Sequence, residues 1–371
     1  MQGAAGPAFL TLLSFRADSV CGVQSERTSS GFLNELSLGE FGSMRRGYAV
    51  GFGALVIAGI ALGATRIGRG TFDGAIASLS HAQPKWLVVA AIAFGLGLLA
   101  SAAAWRTGLR ACGGEACFKQ VSARYAIGSL VNSVAPAHLG GAVRIGLLSR
   151  TLPGDDRLWR AGGVGASVAA ARTLVLALLI VVAASVGRVP LWPAPLLILA
   201  VACVVVVSVR TSRRAAGRLG SLLQIFRSVG QSPRAGATIF GWIAFAAITR
   251  VCGAVAISLA LGVSRPVWVA VVLLAAMALA GLLPLTPGNF GAGAGAATLA
   301  LHGTGVGLGA SLALGVAFQA VETFSGMTLG LAGAAVLAAP GTRTRRWSMA
   351  GAGVAAVVVA AALGVASIDL L

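Results

Sequence analysis

Acidic residues are scarce in this chain: 10 Asp and Glu stand against 28 Lys and Arg in 371 residues, and charged residues make up only 10%. A soluble domain carries about 25%, so a water-facing globular surface is excluded for most of the length. Histidine is scarcer still, at three, and His81, His138 and His302 lie far apart. The five cysteines show no ligand spacing: Cys112 and Cys117 form a loose pair, while Cys203 and Cys252 fall in apolar runs and read as packing residues. Neither a metal nor any other cofactor is expected. Also missing are a Walker sequence, a His-Glu-x-x-His run, paired carboxylates and a Ser-His-Asp set. Those absences exclude ATP-driven pumping within the chain and leave no catalytic machinery, so the chain does not read as an enzyme.

What is present is apolar. Hydrophobic residues reach 57%, and the mean hydropathy is +0.90. Several runs approach the roughly 20 residues that cross a bilayer. They fall at about Tyr48–Thr65, Trp86–Trp105, Val121–Ala135, Gly163–Val186, Leu196–Val209, Ala237–Leu261, Val267–Leu283, Gly291–Leu301, Gly309–Ala338 and Trp347–Ile368. The short alternating segments of a β-barrel do not occur. The expected fold is all-α: a polytopic integral membrane protein of about seven to nine transmembrane helices, with one or two re-entrant hairpins broken by Pro and Gly. Residues 1–43 are mixed in composition and read as a disordered extension or a misplaced start ahead of Met44, which leaves 44–371 as a single transmembrane domain.

The net charge of +18 sits mostly between apolar runs. That placement argues for topology and anionic lipid contact, and against nucleic acid. Arg45 and Arg46 put the N-terminus in the cytoplasm, as does the basic stretch Arg210–Arg234 for its own loop. The C-terminus then falls outside, in a multi-pass protein of the cell membrane. One segment resists a simple count. Arg106, Arg110 and Lys119 precede Val121–Ala135, and Arg144, Arg150, Arg157 and Arg160 follow it, so both flanks want the cytoplasm. A hairpin that enters, breaks at Pro136 and returns satisfies both.

A second segment breaks in a similar way. Pro136-Ala-His-Leu-Gly140 and Pro287-Gly-Asn-Phe-Gly291 each carry a proline, a large apolar residue, then a glycine. Proline removes an N–H and glycine permits close backbone approach. Paired Pro/Gly breaks in two halves of a membrane chain point to a substrate site, and helix N-termini after such breaks suit a phosphate. Two kinked helices packed through small residues would give the same pattern. Polar residues in apolar surroundings add candidates: Asn132, Arg144, Arg172, Arg250, Asn289 and Glu322. Arg172, Arg250 and Glu322 lie well inside their runs, so an ion pair of Glu322 with Arg172 or Arg250 is expected. Arg144 also fits a positive-inside residue at a hairpin exit. The candidate site is Asn132, Pro136, Gly140, Arg144, Arg172, Arg250, Pro287, Gly288, Asn289, Gly291 and Glu322, taking anionic headgroups of membrane lipids.

The stretches Asn132–Arg150 and Leu283–Gly291, with the Gly-rich run around Glu322, resemble the transmembrane region of lysylphosphatidylglycerol synthases, the flippase-like domain family. The resemblance covers roughly Tyr48 to Ala338. It implies a membrane protein that translocates or handles lipids or lipid-linked molecules, without the soluble domain that aminoacylates lipid in the synthases. Departures are specific: Gly141 stands where the family shows an acidic residue, Ala292–Ala297 has none, and the family's Glu-Arg pair appears as Ala171-Arg172. A rival expectation is a non-transporting membrane partner or anchor of a cell-envelope enzyme, such as a glycosyltransferase using polyprenyl-linked sugars.

Overall fold

Proline sets where several long helices begin. Its missing N–H costs nothing at a first helical position and its fixed φ suits one. Pro84 opens α2 (Pro84–Ala111), Pro233 opens α7 (Pro233–Ala260) behind a Ser232 cap, and Pro266 opens α8 (Pro266–Ala280). The computed structural model describes residues 69–134, 139–185, 193–211, 232–281, 291–338, 342 and 345–354. Its other elements are α1 (Arg69–Ser80), α3 (Phe118–Val134), α4 (Leu139–Ser149), α5 (Arg157–Ala184), α6 (Pro193–Thr211), α9 (Ala292–His302), α10 (Leu308–Leu337) and α11 (345–354). Every regular element among the described residues is a helix.

Four helices, α2, α5, α7 and α10, are long and apolar enough to cross a membrane. Their 28 to 30 residues at about 1.5 Å each exceed a hydrocarbon core of about 30 Å. The two broken segments behave differently. Helix α4 packs back on α3, and α9 on α8. Each returning arm has only 11 residues, a reach of about 16 Å, too little to cross. Both segments are thus hairpins of helices, as their Pro/Gly breaks suggested. The tips, 135–138 and 282–290, lie outside the described residues.

Each hairpin has its own core. Trp105, Leu109, Val121, Tyr125, Leu148, Val164 and Ile243 join α3 and α4 to α2, α5 and α7. Phe94, Ile257, Leu273, Met277, Leu301 and Phe318 join α8 and α9 to α2, α7 and α10. Helices α2 and α7 belong to both, and small residues let them approach closely. A Cβ on Gly97 would sit 2.9 Å from Thr249 Oγ1, and one on Gly253 would press the Phe94 ring at 3.1 Å. Both hairpins also lean on α10. Gly315 packs against Ala294 of α9, while Gly330 and Gly333 pack against Leu130 and Ala123 of α3.

Several sequence expectations change. Helix α1 was not foreseen, because its apolar positions are broken by charge; Gly74 seats it against Gly309 of α10. The start of α5 lies before Gly163, and it includes Arg157 and Arg160. Arg160 is more than a loop charge: it donates to Pro153 O at 3.1 Å and to the Cys112 carbonyl, tying the two loops together. Cys203 and Cys252 are exposed rather than packed inside, because they occupy outward faces of apolar helices, which periodicity alone does not separate from inward ones. The run at Tyr48–Thr65, the extension 1–43 and most of Trp347–Ile368 lie outside the described residues.

Candidate functional site

The hairpin arm α3 carries a tyrosine into the first core. Tyr125 is 3% exposed. A buried phenol needs a partner for its hydroxyl. Arg172 Nη2, from mid-α5, donates to Tyr125 Oη at 3.4 Å, and Ser101 of α2 reaches the same oxygen. Over the ring lies Arg144 of α4, with Cζ 3.9 Å from the centroid. That distance is well inside the range for attraction between a cation and a ring face. Arg144 Nη2 also donates to Ser129 Oγ at 3.1 Å.

Two glycines make the Arg144 position feasible. A Cβ on Gly128 would lie 2.9 Å from Arg144 Cβ, and one on Gly140 would lie 2.2 Å from Gly128 O and 2.5 Å from Asn132 Cβ. The two arms of the hairpin therefore meet backbone to backbone, and any side chain at either glycine would part them. Asn132 and Gly140 act here as packing partners beneath the hairpin tip. Arg144, which the charge pattern also fitted as a loop residue, is turned inward between α3 and the core.

A second pair stands beside the first. Arg250, near the middle of α7, forms an ion pair with Glu322, near the middle of α10. Each side chain is 38% exposed, so the pair is not sealed inside the bundle. Of the two partners foreseen for Glu322, the direct pair is with Arg250; Arg172 is close enough to feel the carboxylate as well. The order in space is Arg144, Tyr125, Arg172, Glu322, Arg250. Arg250 and Arg172 thus share one carboxylate, and Arg144 stands beyond them on the ring of Tyr125. Two of their nitrogens, Arg144 Nε and Arg250 Nε, are buried without a hydrogen-bond partner.

Glu322 also separates the hairpins along α10. One turn earlier, Gln319 Nε2 lies 2.7 Å from where a Cβ on Gly293 of α9 would stand. About one turn later, a Cβ on Gly326 would lie 3.6 Å from Ser133 Oγ of α3. The cluster therefore runs from the first broken segment, which supplies Tyr125 and Arg144, to Glu322 between the two hairpin contacts of α10, at mid-helix depth on α5, α7 and α10.

The remaining candidates divide. Gly291 starts α9 with φ 84°, a conformation that glycine adopts readily, and a Cβ there would meet nothing within 4 Å. No described contact joins it to the arginines. Pro136, Pro287, Gly288, Asn289 and His138 lie outside the described residues. No group of three or more His, Cys, Asp or Glu able to hold a metal occurs among the described residues. Sequence reasoning missed Tyr125, Ser129 and Ser101. The chain has only two tyrosines, and one placed amid small residues between two arginine-bearing segments was a usable signal.

Residues 48–330 match the model of a family described as the lysylphosphatidylglycerol synthase TM region. No curated protein matches the chain.

Proposed function

We propose, for a chain that belongs to the lysylphosphatidylglycerol synthase TM region family, that the arginine cluster holds the anionic headgroup of a phospholipid or lipid-linked molecule as it moves between leaflets. One observation carries this reading: among the described residues, three guanidiniums gather at mid-helix depth, linked through Tyr125, with one carboxylate paired to the last of them. An arginine near the bilayer centre costs about 2.5–3.5 kcal/mol on insertion scales. A purely structural network would offset that with matched carboxylates. Among the described residues one carboxylate, Glu322, stands with three guanidiniums, and an anion supplied from the membrane would compensate the excess. Guanidinium forks suit phosphate oxygens, and a low dielectric strengthens the contact.

The two Pro/Gly breaks in the sequence, one of them in the hairpin that carries Tyr125 and Arg144, support a headgroup path. Polar backbone at membrane depth persists only where protein or a wet cavity satisfies it. The chain moves or presents its ligand without changing it covalently. It works in the cell membrane, with its N-terminus in the cytoplasm as the loop arginines direct.

The test is reconstitution of the full chain in liposomes with a headgroup-labelled phosphatidylglycerol. Movement is followed as loss of outer-leaflet signal to a membrane-impermeant quencher. Loss faster than in protein-free liposomes supports the proposal. Rates equal to protein-free liposomes, from a folded protein, would sink it and turn attention to a non-transporting membrane partner of an envelope enzyme.

A further inference from the structure

Two runs of four helices repeat one pattern. Helices α2, α3, α4 and α5 have 28, 17, 11 and 28 residues; α7, α8, α9 and α10 have 28, 15, 11 and 30. Their ends match as well. Just past α2, Gly113 turns at φ 77° and Gly114 N–H donates to Leu109 O at 3.0 Å. Just past α7, Gly262 turns at φ 63° and Val263 N–H donates to Ser258 O at 3.0 Å. Leu109 and Ser258 are both the twenty-sixth residue of their helices. Each returning arm has a glycine second in line, pressed against its outgoing arm: Gly140 against Asn132, Gly293 against Met277. Each also has a buried leucine tenth in line, Leu148 and Leu301. Three residues on, a threonine hydroxyl donates to that leucine's carbonyl, Thr151 at 2.7 Å and Thr304 at 2.6 Å.

The two halves run in opposite directions. Gln83 N–H, at the start of α2, donates to Ala260 O, at the end of α7, at 3.0 Å. Phe94 of α2 faces Gly253 of α7, and Gly97 meets Ala246, each the fourteenth residue of its helix. Each hairpin follows the far end of its own leading helix, so α3–α4 and α8–α9 enter from opposite ends of the α2–α7 pair. The binding groups are not repeated: Leu273 and Ala297 hold the places of Tyr125 and Arg144. The repeat is one of framework.

The two ends are closed differently. Arg160, fourth residue of α5, donates to Pro153 O and across to the Cys112 carbonyl, joining the loop before α5 to the loop after α2. The fourth residue of α10 is Ser311, whose hydroxyl donates to Val306 O at 3.4 Å, within the loop before α10. At that end a cavity of about 820 Å³ lies between the loop after α7 and the loop before α10, lined by Gly262, Arg265, Trp268, Val272, Thr304 and Ala310. Resting on the headgroup reading above, we infer that the halves form an inverted repeat and that this structure is one of two exchanging states, open at the cavity end and latched by Arg160 at the other. In the second state the latch is broken and the cavity is shut. Inverted repeats place a substrate site between halves that rock against each other. Such exchange gives the arginine cluster access to each membrane face in turn.

The experiment measures how fast a charged maleimide labels single cysteines in the folded full chain, purified in neutral detergent. One variant retains only Cys112, buried beside the latch; another carries Ala310→Cys on the cavity wall, with the native cysteines replaced. Arg160→Ala is added to each. It removes charged hydrogen bonds made only in the latched state, so it should raise the Cys112 rate about tenfold and lower the rate of Ala310→Cys about threefold. The Arg160 charge lowers the Cys112 pKa, so its loss alone would slow labelling there, and a rise reports access. Arg160→Lys keeps the charge without the guanidinium fork and should move both rates in the same directions by less. A rise at both sites means a loosened fold, and a change at Cys112 alone means a local loop; either overturns the inference, as do unchanged rates. Labelling needs no lipid, so the two proposals fail separately. Opposite shifts without lipid movement in liposomes remove the translocator alone; movement without opposite shifts removes this inference alone.

Discussion

The Arg250–Glu322 pair has an asymmetry that thermodynamics can read. Glu322 serves two cations, Arg250 directly and Arg172 at longer range, whereas Arg250 pairs with Glu322. Glu322→Gln leaves three guanidiniums with no carboxylate. Arg250→Gln leaves Glu322 with Arg172 still beside it. Removing one partner of a buried pair costs about 3–5 kcal/mol, while a surface pair is worth about 0–1. With each side chain 38% exposed, Glu322→Gln should fall between these limits, at about 2–3 kcal/mol. Arg250→Gln should cost about 1. The double variant should cost less than their sum, with a coupling of about 1 kcal/mol. The assay is reversible unfolding in mixed micelles by titration with a denaturing detergent. Costs that add within about 0.3–0.5 kcal/mol would refute the shared-carboxylate account. So would a larger loss from Arg250→Gln than from Glu322→Gln.

Three other outcomes follow from the same geometry. In the unfolding assay, Gly333→Ala should cost about 1–3 kcal/mol, because its Cβ would stand 2.7 Å from the Ala123 carbonyl oxygen; Gly241→Ala, in open space on α7, should be neutral or stabilising. Tyr125→Phe keeps the ring under Arg144 and removes the acceptor for Arg172, so movement of labelled phosphatidylglycerol in liposomes should slow about threefold to tenfold, whereas Tyr125→Leu should disturb both arginines and slow it further. Burial pushes the Cys112 thiol above its usual 9.0, and the nearby Arg160 charge only partly reverses this. A raised thiol pKa means less thiolate at a given pH. Maleimide labelling of a variant retaining only Cys112 should therefore be slow near pH 7 and still climbing above pH 9, with a plateau below pH 8 as the contrary result.

Apolar run lengths gave the long helices, because that signal is local, but the runs began at Trp86, Ala237 and Val267, after the prolines that open α2, α7 and α8. The hairpins were legible for a different reason. Charge on both flanks of Val121–Ala135 could not be satisfied by one crossing, and an 11-residue return cannot cross at all. Arg172, Arg250 and Glu322 stood out because ionisable groups inside apolar runs are expensive. What stayed hidden was pairing. Nothing local distinguishes Arg172 from Arg250 as the partner of Glu322, since the choice depends on how α5, α7 and α10 turn against one another. Tyr125 could be noticed as one of two tyrosines, but its role could not be read, because it comes from two arginines on other helices. Helix α1 escaped because charge interrupts its apolar face, and its seat shows only in space, with Gly74 against Gly309 and Ala75 against Leu312 and Ala313 of α10.

The most direct test of the central claim is a ratio. Translocation of labelled phosphatidylglycerol and of labelled phosphatidylcholine is measured in the same liposomes for wild type, Arg144→Gln, Arg172→Gln and the double variant. Wild type should move the anionic lipid faster, with the preference falling in each single variant and vanishing in the double, while movement of the neutral lipid stays the same. A preference that survives loss of both arginines would contradict the account, because the guanidiniums that α4 and α5 bring to Tyr125 would then play no part in selecting what crosses.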